Sequence, residues 1–309
     1  MISLALTAAL ALQSASEPVT LPASPAPLHG TLLAPEHPRA VAVILPGSGP
    51  TDRDGNSAPF NIRARSLALL AEALSEEGVA TIRIDKRGVG ESAAAGVREE
   101  ELRFDMLAVD ARAWAAEAAA RTGQPCAWLI GHSEGALVAL DAARQDEAIC
   151  GLVLISGAGR PAADAIRDQL RPQLPPAMMA DAERALSDLE AGRTTASVPG
   201  LEMLLRPSVQ PYLISWFALD PAGLAAAYEG PVLIVSGSND LQIPPAEADA
   251  LQARQPRARR LDVDGMNHVM KIAPTGTAEN LATYANPSLP LAPRLATTIV
   301  EVIQKPDGR

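Results

Sequence analysis

The stretch Ala127-Trp128-Leu129-Ile130-Gly131-His132-Ser133-Glu134-Gly135-Ala136-Leu137-Val138-Ala139-Leu140 decides how the chain is read. A short apolar run enters Gly-x-Ser-x-Gly and leaves as a small-residue helix. Gly-x-Ser-x-Gly alone is a weak pattern, but at a strand-to-helix junction the serine sits on a tight turn that exposes its hydroxyl. The flanking glycines relieve the crowding of such a turn. Ser133 would also stand at a helix N-terminus, where unpaired N–H groups favour developing negative charge. It is therefore the predicted nucleophile, with the backbone N–H of Glu134 as an oxyanion donor.

The surrounding sequence alternates apolar runs with helical stretches, the signature of a parallel sheet wrapped by helices. Strands are expected at 40–47, 79–85, 127–131, 151–157, 231–237 and 258–265, and helices at 61–78, 101–121, 135–144 and 292–304. The alternation lapses between Gly157 and Gly230, where helices at 162–170 and 180–192 precede a stretch carrying Pro207, Pro211 and Pro221. Functional segments gather at the carboxyl ends of parallel strands, so 158–228 is expected to be a helical lid inserted after the sixth strand. An ordinary helical excursion packed on a sheet face is the alternative. The core would then comprise 17–157 and 229–309. Residues 16–27, rich in Pro, Ala and Ser, read as an extended approach to the first strand.

A serine hydroxyl needs a base to become a nucleophile at neutral pH. Of four histidines, His29 and His37 precede the sheet, and the side chain of His132 is expected to point away from the reacting side of Ser133. His268, after a strand near the C-terminus, is the predicted base. Asp240, on the loop after a buried strand, is the predicted group that orients the imidazole and stabilises its cation. Asp262 falls within a strand and Asp264 adjoins Gly265, so both are set aside. The loop LPGSGPTDRDGN, 45–56, follows a strand and carries Gly47 and Gly49 around Ser48. Glycines let backbone approach a ligand closely, so Ser48 N–H is the second predicted oxyanion donor.

Chain order Ser133, Asp240, His268 on an alternating scaffold resembles the α/β-hydrolase superfamily from about Leu28 onward. DKRGVGES, 85–92, is similar to that superfamily's Asp-x-Arg-Gly-x-Gly-x-Ser turn after its fourth strand. GSGPTDRDGN, RPSVQPYLISWFALDP (206–221) and NLATYANPSLPL (280–291) together resemble its bacterial esterase and serine aminopeptidase-like branch. The oxyanion loop departs from many relatives, reading Pro46-Gly47 in place of His-Gly. The resemblance implies an α/β-hydrolase fold, a mostly parallel central sheet with helices on both faces. It also implies acyl transfer to water through an acyl-enzyme, with no metal or organic cofactor. A serine carboxylesterase acting on small or medium esters is the expected function. A serine aminopeptidase-like amidase is the first alternative, since Asp181, Glu183, Asp188 and Glu190 lie near the lid, where they could meet a substrate amine; their spacing suits a solvated helix face equally well. A hydrolase-fold binding protein without turnover is the second. Related dehalogenases and epoxide hydrolases resemble this fold with Asp at the nucleophile position, where this chain has Ser133.

Other residues carry weaker signals. Tyr212, Trp216 and Phe217 are candidates to line an acyl pocket, since such pockets have apolar and aromatic walls, or else to anchor the lid. Asp52, Arg53 and Asp54 would either bridge the site mouth or bind a polar substrate group, or form a solvated loop. Arg87 is expected to be a structural donor. A formal net charge of -10 with only Lys86, Lys271 and Lys305 as lysines argues against a nucleic acid partner. The arginines at 254, 257, 259 and 260 read as a solvated turn. Cys126 and Cys150 each precede an apolar run, at the same end of neighbouring strands. They are expected to be small buried hydrophobes, as free cysteines usually are, with a disulfide as the alternative. The apolar start Met1 to Leu12 is too short to cross a bilayer and is followed by small residues, a pattern for a signal peptide over 1–16 and export to the periplasm or medium. No Lys or Arg precedes it, which keeps a cytoplasmic protein with an Ala-rich leader as the alternative.

Overall fold

The structure, a computed structural model, describes residues 15–144 and 148–305. The expected leader therefore lies outside the described residues apart from its last two. Eight strands form one sheet: β1 (Ala15–Leu21), β2 (Leu28–Ala34), β3 (Ala40–Leu45), β4 (Val79–Ile84), β5 (Ala127–His132), β6 (Ile149–Ile155), β7 (Val232–Gly237) and β8 (Arg259–Val263). Their spatial order is β1-β2-β4-β3-β5-β6-β7-β8. Neighbours from β4 and β3 through to β8 pair in parallel, so the carboxyl ends of six strands share one edge.

Alternation along each strand divides the core into two layers. Val41, Val43 and Leu45 of β3 join Phe104, Trp114 and Leu137 on one face. Ala42 and Ile44 join Leu67, Leu70, Leu295 and Ile299 on the other. The second face is covered by α1 (Ser66–Glu76) and by the last helix, Leu295–Gln304; the first by α2 (Phe104–Thr122) and α3 (Glu134–Ala143). Between β6 and β7 lie α4 (Ala162–Leu170), α5 (Pro176–Glu190), α6 (Glu202–Leu205), α7 (Gln210–Phe217) and α8 (Pro221–Ala227). Pro176, Pro211 and Pro221 fall in first turns, where a missing N–H costs nothing. The helix α9 (Pro245–Arg254) then packs on β7.

Three expectations are corrected. Residues 61–65 are not helical, because Ile62 bridges to Ser57 and both Asn61 and Arg65 have positive φ, which ends any α-helix there. Residues 16–27 are not a plain extended approach: β1 pairs antiparallel with β2, and β2 with β4. Pro18, which lacks an N–H, sits on the outermost strand, where a proline is tolerated.

The third correction concerns Cys126 and Cys150, which are joined in a disulfide with a Cα–Cα distance of 5.3 Å. Both stand at the amino ends of the adjacent strands β5 and β6, at the edge opposite the carboxyl ends. Closing this loop restricts the unfolded chain, an effect worth roughly 3 kcal/mol. Thiol titration of the denatured, unreduced protein should accordingly find none free, and Cys126→Ala/Cys150→Ala should lose roughly 3 kcal/mol of unfolding free energy. Two titratable thiols in the unreduced protein would contradict the pairing.

Candidate active site

Ser133 caps α3 with φ 56° and ψ −121°, a backbone conformation that L residues rarely adopt. The turn is enforced by close contact on both sides. A Cβ on Gly131 would lie 2.1 Å from the Gly135 carbonyl oxygen, and one on Gly135 would lie 2.4 Å from that of Leu45. Ser133 N–H donates to Ile155 O at 2.9 Å, which ties the turn to the end of β6. Strand, turn and helix thus hold the predicted nucleophile at the carboxyl edge of the sheet.

Asp240 follows β7 and His268 follows β8 at that same edge. His268 Nδ1 lies 2.9 Å from Asp240 Oδ2 and 3.1 Å from Oδ1. A carboxylate only accepts, so Nδ1 carries a proton, and in the neutral ring Nε2 is the acceptor. Asp240 Oδ1 also accepts from the backbone N–H groups of Gln242 at 2.8 Å and Ile243 at 2.9 Å. Burial works against the Asp240 anion, but the neighbouring imidazole and these two N–H donors outweigh it and hold its pKa below the ordinary carboxylate value. Among the described residues, Ser133 Oγ and His268 Nε2 make no hydrogen bond, with each other or with any other group.

Around this pair the structure places groups that the sequence did not single out. Asn267 is fully buried and donates through Nδ2 to Thr283 Oγ1 at 2.7 Å and Asn280 Oδ1 at 3.1 Å. Asn280 Nδ2 in turn donates to Asn239 O at 2.9 Å, linking the loop of His268 to that of Asp240. Asn267 adjoins His268, and Asn280 opens the stretch NLATYANPSLPL, but the sequence assigns neither a role of its own. His132, whose side chain is expected to point away from the reacting side of Ser133, packs against His268. Its Nε2–H donates to His268 O at 2.7 Å, and the two rings are 4.9 Å apart.

The loop after β3 brings Ser48 to the same edge. A Cβ on Gly47 would lie 3.2 Å from Ser133 Cβ. Gly47 O accepts from Lys86 Nζ, and Ser48 O accepts from Thr51 Oγ1 at 2.8 Å. Among the described residues, the N–H groups of Ser48 and Glu134 make no hydrogen bond. Asp52, Arg53 and Asp54 are all committed within the protein. Asp52 accepts from the N–H groups of Asp54 and Asn56, Arg53 forks onto buried Asp85, and Asp54 pairs with Arg83. Arg87 pairs with Asp110 and donates to the carbonyls of Ser24 and Ala95, the structural role expected of it.

Of the aromatic residues on α7, Tyr212 donates its hydroxyl to Glu134 Oε2 at 2.9 Å. Trp216 stacks on Phe104 of α2 with ring centroids 5.9 Å apart, and Phe217 is buried in the first core layer. No metal-holding group of three or more His, Cys, Asp or Glu side chains occurs among the described residues, and no helix there is long and apolar enough to cross a membrane.

Burial, then the neighbouring His268, pushes the His132 pKa down from 6.5 to about 4. Between those values the unfolded chain binds a proton that the folded chain refuses, so stability falls as pH drops from 6.5 to about 4. The loss is on the order of 3 kcal/mol. His132→Gln should flatten this slope in denaturant titrations run across pH 4 to 8; an unchanged slope would assign it to other groups.

The geometry can be set beside known proteins. A curated relative, Esterase EstD of Thermotoga maritima, is 26% identical over 237 residues, covering 75% of this chain and 55% of that protein. The chain thus spans about half the length of that relative. Among solved structures, Est1E from Butyrivibrio proteoclasticus with ferulic acid bound superposes with a TM-score of 0.61 at 18% identity, over 93% of this chain and 96% of that one. A proline iminopeptidase from Mycobacterium smegmatis does so with a TM-score of 0.54 at 16% identity, over 82% and 92%. These structural likenesses extend to the fold. The model of the serine aminopeptidase S33 family matches residues 60–270, a span that includes Ser133, Asp240 and His268, and the chain belongs to that family of α/β hydrolases.

Proposed function

We propose that the protein is a serine carboxylesterase. Ser133 attacks the ester carbonyl, His268 Nε2 takes its proton and returns one to the leaving alcohol, and Asp240 holds the imidazole. The N–H groups of Ser48 and Glu134 receive the oxyanion. Water activated by His268 then releases the acid. The observation that carries this is the coincidence, at one edge of the sheet, of a serine with φ 56° and an imidazole whose Nδ1–H is bound by a buried carboxylate.

Esters are favoured over peptide amines by the charges of the insertion. The carboxylates that could meet a substrate amine already face arginines: Glu183 and Glu190 face Arg167, Asp181 faces Arg184, and Asp188 faces Arg193. Residues 158–228 act in this proposal as a lid over a core of 17–157 and 229–309. The contact from Tyr212 on α7 to Glu134, beside the nucleophile, supports it. Tyr212, Trp216 and Phe217 would form the wall that the lid offers to a small or medium acyl group. Residues 1–16 would be a cleaved leader for export, and the Cys126–Cys150 pair suits an oxidising compartment.

Turnover of p-nitrophenyl esters of rising acyl length should peak at short or medium chains. Ser133→Ala should reduce kcat about a millionfold, and Asp240→Ala about ten-thousandfold. A fluorophosphonate should add mass to the wild type and not to Ser133→Ala. Equal inertness of wild type and Ser133→Ala, with turnover of neither esters nor amino-acid anilides, would favour a binding protein.

A further inference from the structure

We propose that Lys86 is a positioning residue for the oxyanion hole, and that Tyr212 controls its grip through Glu134. The proposal rests on the assignment of Ser48 N–H and Glu134 N–H as oxyanion donors. Gly47 C=O and Ser48 N–H belong to one peptide unit, and in a trans peptide these two groups point in opposite directions. Lys86 Nζ donates to Gly47 O. Anchoring the carbonyl on one side therefore aims Ser48 N–H to the other, next to a loop whose Gly47 approaches Ser133 Cβ.

The same ammonium lies 3.3 Å from Glu134 Oε1, and both side chains are largely buried, 10% and 3% exposed. One cation thus braces both predicted donors, the first through its peptide and the second through its own side chain. An ammonium carries three N–H donors, so it serves both acceptors at once. Gly47 O is held closely and Glu134 Oε1 at longer range, while the other Glu134 oxygen is satisfied by the Tyr212 hydroxyl at 2.9 Å. Burial raises the Tyr212 pKa well above its ordinary value, so this hydroxyl keeps the proton it donates. Were α7 to withdraw, Glu134 Oε2 would lose its Tyr212 donor, and the carboxylate would pull Nζ toward itself and lengthen its bond to the Gly47 carbonyl. Seating of α7 and alignment of Ser48 N–H are in this way one event. Sequence comparison offers Lys86 only as the variable residue of its Gly-rich turn; its function comes from the peptide it grips.

The test uses the full chain with p-nitrophenyl esters and an arylboronic acid as a tetrahedral mimic. Lys86→Met should lower kcat about 10- to 100-fold with KM changed less than about threefold, and should weaken the boronate by a similar factor, as a misaimed donor requires. Lys86→Arg should retain more activity than Lys86→Met. Tyr212→Phe should lower kcat in the same sense, and the double variant should lose less than the product of the single losses. Lys86→Met/Glu134→Gln removes the buried charge that the single variant leaves unpaired, and keeps the kcat comparison available if Lys86→Met does not fold. An active wild type with a folded Lys86→Met, or the double variant in its place, at wild-type kcat would overturn the proposal alone. A wild type inert toward every ester would overturn the esterase assignment and this proposal with it.

Discussion

Everything at the carboxyl edge depends on the turn from β5 into α3. A residue held at φ 56° costs about 1 to 3 kcal/mol. That cost is met by the sheet below it, where Ser133 N–H bonds the end of β6, and by the helix beside it, where Gly135 presses on the backbone of Leu45. The turn is thus wedged between three consecutive neighbours of the sheet. The strain persists because the parallel ladder of β3, β5 and β6 leaves the chain no other path.

Charge is managed around this turn by enclosure. Asp85, Asp240, Glu134 and Glu247 are all buried, and each has a cationic or imidazole partner together with other donors. Breaking one such pair would leave an uncompensated buried charge, whereas the exposed pairs of α5 contribute little.

Much of this was legible beforehand because parallel strands are buried on both faces and announce themselves as unbroken apolar runs. The inner parallel strands read in that way, while β8, RRLDV at the far edge, was placed by its position between turn residues. β1 and β2 did not, since β1 carries Pro18 at an open edge and β2 alternates with half-exposed residues such as His29 and Thr31. Ser133, Asp240 and His268 could be chosen because each stands where an apolar run stops. Asn267, Asn280 and the inward position of His132 were not legible, because their meaning lies in partners far along the chain. The disulfide differs: the sequence itself places both cysteines at one end of neighbouring strands, and that placement outweighs the general habit of free cysteines.

The bridge between Cys126 and Cys150 lies at the floor of the sheet, a full strand length from Ser133. The candidate site and the covalent cross-link are therefore housed at opposite poles of the same two strands. A turnover assay samples only the upper pole. Material in which the bridge never formed would pass as fully competent at the bench, and would betray itself only on storage, heating or exposure to proteases.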